Sequence, residues 1–433
     1  MVPAASMAIF SPPSEAGRDR GARMMIAKTG LIDRRSLLAG AGATIAAPAI
    51  VRAQGKALKI ALMLPRSGFF AQAGQSCYRG ALATPKVLAD LGYAVEIMHI
   101  DTESSNDVSR TQAEKAINDG AQCVIGAFES GNTIAIAQVC EQRKVPLICN
   151  IASAPQLTGQ GYQYLVRNFM TGPGLVTNGL RLIGEISKAA NMDLKTAVFM
   201  HSNDTFGTAQ AQAMGKIFPT LNMPFKIVES IAYDPKAQDL SVEVTKVRGV
   251  NPDLLMIVTR AGDAIKLTRD MVRQKFQPKA IMSPGSPGLY DEEFFKAVGP
   301  YADGFIYNLP WFNVKSKMTQ ALEASFKATN PNHRFDLDGF NAGFTFEALL
   351  IAADAFKRAG ASDGETLMKA IKATNIKDHV MIGGPIVFNE KGDNPNIGSA
   401  SVQNIGQKPT VVYPADVAVA KPILPFPAWQ GRK

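Results

Sequence analysis

From Lys56 onward the chain alternates short apolar runs with stretches of helical spacing, and this alternation calls for parallel sheets covered by helices on both faces. The stretch from Cys123 to Thr158, CVIGAFESGNTIAIAQVCEQRKVPLICNIASAPQLT, shows it most clearly. An apolar run, a polar break and a helical pattern are followed by a second apolar run and a second break. Two buried neighbouring strands would deliver Ser130 and Ser153 to one edge of one sheet. In open α/β sheets ligands bind beyond the carboxyl ends of the strands. That edge is therefore the expected functional site.

The same pattern extends in both directions. Leu58 to Leu64, Tyr93 to Ile100, Pro146 to Cys149 and Tyr164 to Phe169 read as strands, with helices over Gln75 to Leu91, Asp107 to Asp119 and Asn132 to Arg143. Thr171-Gly172-Pro173-Gly174 concentrates turn-forming residues and reads as a hinge or linker. A second series follows, with strands at Thr196 to His201, Phe225 to Tyr233, Leu254 to Thr259 and Ala280 to Ser283. Its helices are expected at Leu175 to Ala190, Thr205 to Phe218, Ala237 to Val247 and Ala264 to Gln274. After Tyr307 helices dominate, at Ser316 to Ala328, Asn341 to Ala359 and Gly364 to Ala373, before short strands between Ile386 and Val412. Two lobes of similar order are implied, with the chain returning to finish the first.

The first 53 residues read as an address rather than as part of the fold. Asp33-Arg34-Arg35-Ser36-Leu37-Leu38 opens an Ala/Gly-rich apolar run, and Val51-Arg52-Ala53 offers a cleavage site. This resembles a twin-arginine export signal with Leu37 in place of the usual Phe, and Met24 or Met25 is an alternative start. Beyond this segment no run reaches the ~20 apolar residues of a membrane span. The segment also carries seven Lys/Arg and three Asp/Glu, so the net charge of +9 falls to about +5 on the rest. No basic stripe interleaved with aromatics remains, and nucleic acid is not indicated.

Catalysis is not indicated either. The four histidines, His99, His201, His333 and His379, are scattered, and no nucleophile elbow, phosphate loop or metal cluster accompanies them. Neither metal nor cofactor is expected. Cys77, Cys123, Cys140 and Cys149 lack metal-ligand spacing. They read as buried free thiols, with a Cys123 to Cys149 disulfide as the alternative in an oxidising compartment.

Ser67-Gly68 with Gly74, Gly126 to Ser130, Ala154-Pro155-Gln156-Leu157-Thr158, Gly161-Tyr162-Gln163, Arg167, Phe206-Gly207 and Gly384-Pro385 to Asp393 follow one another in a telling order. In these the sequence resembles the extracytoplasmic solute-binding proteins of the Leu/Ile/Val-binding type, receptors of ABC importers, from about Lys59 to Pro414. The resemblance implies a type I periplasmic binding fold, two lobes joined by three crossings and closing over a ligand. The crossings are expected at Thr171 to Gly174, Tyr307 to Trp311 and Asn375 to Met381. Residues 56–172 plus 305–377 would form the first lobe, 173–304 plus 380–415 the second, and 416–433 a tail.

The resemblance also implies a site. Ser130 and Ser153 match the hydroxyls that grip a ligand carboxylate, with Ile151 supplying nearby backbone; helix capping is the alternative role for both serines. The second lobe departs from the pattern. Phe206 and Arg260 stand where tyrosines are usual, and Gly285 replaces the acid that neutralises an ammonium group. Glu129, next to Ser130, is a candidate replacement for that acid, with a surface or helix-start carboxylate as the alternative reading. Arg260 could instead receive a carboxylate and stack on a flat body, or pair with Asp263 at the rim. The expected role is periplasmic receptor for an amino acid of the branched-chain or amide type. An aromatic or other organic acid, or ligand sensing without transport, is the alternative. Partners would be the permease and ATPase subunits, and the receptor itself is expected to be a monomer.

Overall fold

The computed structural model describes residues 57–432, so the expected export segment, including Asp33 to Leu38, lies outside the described residues. Two sheets organise the rest. The first is assembled from β1 (Leu58–Leu64), β2 (Val95–Asp101), β3 (Cys123–Gly126), β4 (Leu147–Cys149) and β5 (Leu165–Arg167). Between them lie α1 (Ala71–Asp90), α2 (Asn106–Asn118), α3 (Ser130–Arg143) and the single turn α4 (Gln156–Gly159). All four strand pairs are parallel, in the order β2-β1-β3-β4-β5.

The second lobe begins with α5 (Gly172–Ala189) and continues through β6 (Thr196–Ser202), α6 (Thr205–Ile217), β7 (Lys226–Tyr233), α7 (Ser241–Val250) and β8 (Leu254–Val258). Next come α8 (Ala261–Arg273), β9 (Ala280–Ser283), α9 (Glu292–Val298) and β10 (Ile306–Leu309). The chain then forms α10 (Lys317–Thr329), α11 (Phe335–Ala359) and α12 (Gly364–Lys372), of which α10 and α11 pack on α1 and α12 on α11. It closes with β11 (Ala400–Asn404) and β12 (Pro409–Tyr413). The seven strands run β12-β11-β10-β9-β8-β6-β7, parallel except for the two antiparallel pairs made by β11.

Burial explains the strand sequences. β1 (LKIALML) and β8 (LLMIV) are almost wholly apolar because helices cover both faces. The edge strand β7 (KIVESIAY) alternates exposed and covered residues along most of its length, as a strand with a solvent-facing side does. Among the described residues no helix is long and apolar enough to cross a membrane.

Several expected boundaries move. Thr171 to Gly174 is not a linker: Thr171 caps α5, its hydroxyl accepting from the Gly174 N–H at 3.1 Å, with Pro173 in the first turn. Turn-forming residues here open a helix, and the first passage between lobes is residues 168–171. Residues 305–309, expected in the first lobe, belong to the second sheet, because Ile306–Leu309 pairs with β9 and β11. Residues 380–399, expected in the second lobe, do not join that sheet. Within them Asp393 pairs with Arg167 at the end of β5, and strand pairing with the second sheet starts at Ala400. Helices also start elsewhere, α1 at Ala71 rather than Gln75. α11 starts six residues before Asn341, with Asp336 and Asp338 in a first turn whose positive end favours them. α7 starts four residues after Ala237, because Asp239 holds the preceding turn by accepting from the Ser241 N–H at 3.0 Å.

Candidate functional site: a phenylalanine-lined cavity at the strand ends

Strand ends from both sheets converge on one cavity. Ser130 opens α3 just after β3, and Ile151 and Ser153 follow β4. Phe206 lies in the first turn of α6 after β6, Arg260 caps α8 after β8, and Gly285 follows β9. With Glu129, all seven residues expected from the sequence line this cavity together. The sequence did not single out Phe128, Phe169, Leu175, Pro287, Leu309 and Phe340, which complete the wall. Phe128 adjoins Glu129 and was within reach of strand-end logic. Phe340 sits in α11, where an inward phenylalanine looks like any core residue.

At one end the cavity is polar. The Ser130 hydroxyl accepts from the Ala154 N–H at 3.3 Å, tying the two first-lobe loops together and keeping its own proton to donate. Ser153 is buried and its hydroxyl has no partner among the described residues. The first-turn N–H groups of α3 add positive potential at the same place. Neither serine hydroxyl serves as a helix cap, since neither accepts a hydrogen bond from the first turn of a helix that follows it.

Arg260 also lines the cavity, and shares a neighbouring groove with Glu129 and Ser130. Its guanidinium lies 4.8 Å from the Phe70 ring and 4.7 Å from the Phe206 ring, and pairs with Asp204 at 2.6 Å. The pairing expected with Asp263 takes another form, because that carboxylate accepts from the Arg260 backbone N–H at 2.7 Å and caps α8. Asp204 itself accepts from the Gly207 N–H at 2.9 Å and from the Ser202 hydroxyl at 3.0 Å. Burial works against its charge, but Arg260 and these donors outweigh it and hold the carboxyl below the usual carboxylate range. At Gly207 a Cβ would lie 2.0 Å from the Ser202 carbonyl oxygen, so glycine lets α6 start hard against β6. Gly285 adopts φ +131°, and a Cβ there would meet the Leu175 side chain at 3.0 Å. An acid at that position would be strained, which gives the missing ammonium partner a backbone cause.

Glu129 is the N-cap residue of α3 and is only 5% exposed, so it is a helix-start carboxyl but not a surface one. One oxygen accepts from the Asn132 side-chain amide at 2.8 Å, and the other has no partner among the described residues. Burial pushes the carboxyl from its ordinary 4.5 up to about 8, against the opposing pull of its own backbone N–H and Arg260. A carboxyl raised on folding costs stability wherever the unfolded chain ionises it and the folded chain does not. That cost is absent below 4.5, grows with rising pH, and is complete above about 8. Glu129→Gln is therefore expected to raise the thermal midpoint over wild type at pH 8.5, by the equivalent of about 1–3 kcal/mol. The two proteins should unfold alike at pH 4; an equal gain at both pH values would show that ionisation is not the cause.

The histidines have other partners. His379 pairs with Glu347 at 2.9 Å, His333 with Glu292 at 3.2 Å, His201 bonds the Ser202 carbonyl at 3.0 Å, and His99 stacks edge-on against Tyr78. All four cysteines are free and buried, including Cys123 and Cys149. Burial pushes the Cys77, Cys123 and Cys149 thiols up to about 12, which keeps them protonated.

Comparison with known proteins agrees with this architecture. The sequence model described as periplasmic binding protein matches residues 57–408. A leucine-, isoleucine-, valine-, threonine- and alanine-binding protein of Pseudomonas aeruginosa is 24% identical over 355 residues, 78% of this chain and 87% of that protein. The branched-chain amino acid transporter substrate-binding protein of Streptococcus pneumoniae, solved with isoleucine, superposes with a TM-score of 0.71 at 17% identity, covering 86% of this chain and 100% of that one. An ABC transporter solute-binding protein of R. palustris, solved with benzoate, gives 0.69 at 21% identity, covering 84% and 98%. With its two helix-flanked sheets of largely parallel strands and a family match spanning most of its length, the chain belongs to the periplasmic binding protein family.

Proposed function

We propose that this protein is the periplasmic receptor of an ABC importer and holds a small carboxylate-bearing solute with an apolar, preferably aromatic, body between its lobes. The observation that carries this reading is the cavity itself. Its hydroxyl end, at Ser130 and Ser153, lies beside a helix start, and its walls include Phe128, Phe169, Phe206 and Phe340. Short hydroxyl donors at a positive helix end hold an anion without a full counter-charge. Phenyl walls favour a flat apolar body. Ile151 contributes backbone beside Ser153, Gly285 leaves room, and Arg260 lies between Phe70 and Phe206 at the cavity wall. The benzoate complex of the R. palustris protein is consistent with this choice. Export by the twin-arginine-like segment, docking on permease and ATPase subunits, and a monomeric state belong to the same reading.

One observation favours a second ligand. The unpartnered Glu129 oxygen could accept from an ammonium group, which would suit a branched-chain or amide amino acid. Calorimetric titration with benzoate and with leucine or isoleucine separates the two. The aromatic acid should bind and the amino acids should not; the reverse result would make Glu129 the ammonium partner. With whichever solute binds, Ser130→Ala should weaken affinity about tenfold, the worth of one hydrogen bond to a charged group. Unchanged affinity would remove Ser130 from the anion site.

A further inference from the structure

Glu347 lies on α11, is 0% exposed and is not part of the cavity wall. One of its oxygens accepts from the His379 ring at 2.9 Å and from the Val380 and Met381 N–H groups at 3.0 and 2.8 Å. The other accepts from the Asn168 side-chain amide at 2.7 Å. These donors lead to all three passages between the lobes. Asn168 opens the first, residues 168–171, and its side-chain oxygen accepts from the Asn394 amide at 2.8 Å, where the third passage, residues 394–399, begins ahead of β11. Residues 380–382 run antiparallel to the second passage, residues 310–316. There the Asn313 N–H donates to the Val380 carbonyl at 2.8 Å and the Ile382 N–H to the Trp311 carbonyl at 2.7 Å. The Ile382 carbonyl in turn accepts from the Gly398 N–H of the third passage at 2.9 Å. One buried carboxylate is thus the node that ties the three passages together.

The His379 ring is held between two acceptors, with Nδ1 2.9 Å from the Glu347 carboxylate and Nε2 2.9 Å from the Gly384 carbonyl. A neutral imidazole has one N–H, so only the imidazolium satisfies both. Burial works against that charge, but Glu347 and the Gly384 carbonyl outweigh it and hold His379 above the ordinary histidine range. Asp378, its chain neighbour, pulls the same way. Residues 310–313 carry no charge, and Ser316, which donates to the His379 carbonyl at 2.8 Å, stands between the exposed Lys315 and Lys317. Loss of the His379 proton leaves either the carboxylate or the carbonyl short of a partner. Resting on the receptor reading above, we propose that Glu347 and His379 are positioning residues that clamp the hinge: while His379 is charged they hold the three passages in the arrangement in which Arg260 of the second lobe reaches Phe70 of the first, and the solute is retained. The stabilisation of a histidine raised on folding is present at low pH and lost as pH rises through its folded value. The solute therefore leaves faster as pH rises.

Stopped-flow release of benzoate and of leucine tests this from about pH 6 to about pH 9. Whichever probe binds should leave wild type about tenfold faster at the upper end, the effect of losing one charge-assisted hydrogen bond. His379→Gln and Glu347→Gln should release it fast at both ends, with no further rise. Burial raises Glu129, Asp263 and Asp291 toward the same pH range, but they titrate in wild type and variants alike, so the difference between the profiles reports on His379. Should Glu347→Gln not fold, His379→Gln, which leaves three donors on the carboxylate, decides alone. Parallel profiles in wild type and variants would overturn the clamp, and so would variants that are less stable to denaturant yet release the probe at the wild-type rate. If neither probe binds wild type, the carboxylate reading fails and small-angle scattering of the free protein decides the clamp. A radius of gyration that grows with pH in wild type but not in His379→Gln supports it; equal profiles overturn it.

Discussion

Arg167→Ala is expected to lower stability by about 3–5 kcal/mol, the usual result of removing one partner of a buried ion pair. Arg167 is wholly buried, and all its donors are used. Its guanidinium pairs with Asp393 at 2.8 Å and bonds the Ala154 carbonyl at 2.8 Å and the Thr158 hydroxyl at 2.6 Å. The Thr158 hydroxyl in turn donates to the Asp393 carboxylate at 2.9 Å. Truncation would leave a carboxylate and a buried carbonyl unpaired together, with each orphaned group costing desolvation free energy. The loss would also reach the site, because the Ala152 to Ala154 loop that Arg167 holds carries Ser153. Denaturant unfolding should show a lower midpoint, and titration with benzoate or leucine a weaker affinity. Arg167→Met combined with Asp393→Leu should recover part of the stability, since no charge is then left buried alone. A single variant as stable as wild type would mean that water replaces the lost partners and that the network is not a structural tie.

The contrast between Arg167 and Thr171 shows what the sequence makes legible. Apolar runs at Leu58, Cys123 and Leu254 could only be buried strands, so the two sheets follow from pattern alone. Small polar residues just past those runs had to lie at the carboxyl edge, which is why Ser130 and Ser153 reach one cavity, whereas Phe206, Arg260 and Gly285 are picked out only by the family resemblance. Thr171 to Gly174 misleads because Thr, Gly and Pro serve equally for a turn and for a helix start. What decides is whether the Gly174 N–H finds the Thr171 hydroxyl, and spacing does not encode that. The return of residues 385–395 to Arg167 is equally invisible, since it depends on an ion pair between positions 226 apart in the chain. Phe340 illustrates the same limit. A helix buried nearly all round gives no sign of which side meets the core and which lines the cavity.

Arg260→Glu should abolish solute binding, with affinity falling about a hundredfold or more, while the fold survives. The guanidinium does two things that a carboxylate would reverse. It neutralises Asp204 at 2.6 Å, and it fills the gap between Phe70 of the first lobe and Phe206 of the second, spanning the cleft. A carboxylate there would face the ionised Asp204 across low-dielectric space and repel it. It would also meet the negative faces of two phenyl rings where a cation is attracted. The lobes would then be pushed apart at the point where they meet, and an anionic solute would enter a negative cavity. Arg260→Lys distinguishes the two contributions. It keeps the charge beside Asp204 but loses the planar stacking surface, so an intermediate loss of roughly tenfold is expected. If Arg260→Lys binds like wild type, charge neutralisation alone is the role of Arg260. If Arg260→Glu still binds tightly, neither the ion pair nor the stacked bridge contributes to closure. Asp204→Asn supplies the complementary case. With its partner uncharged, Arg260 would be free to attract a carboxylate, and affinity for benzoate should rise rather than fall.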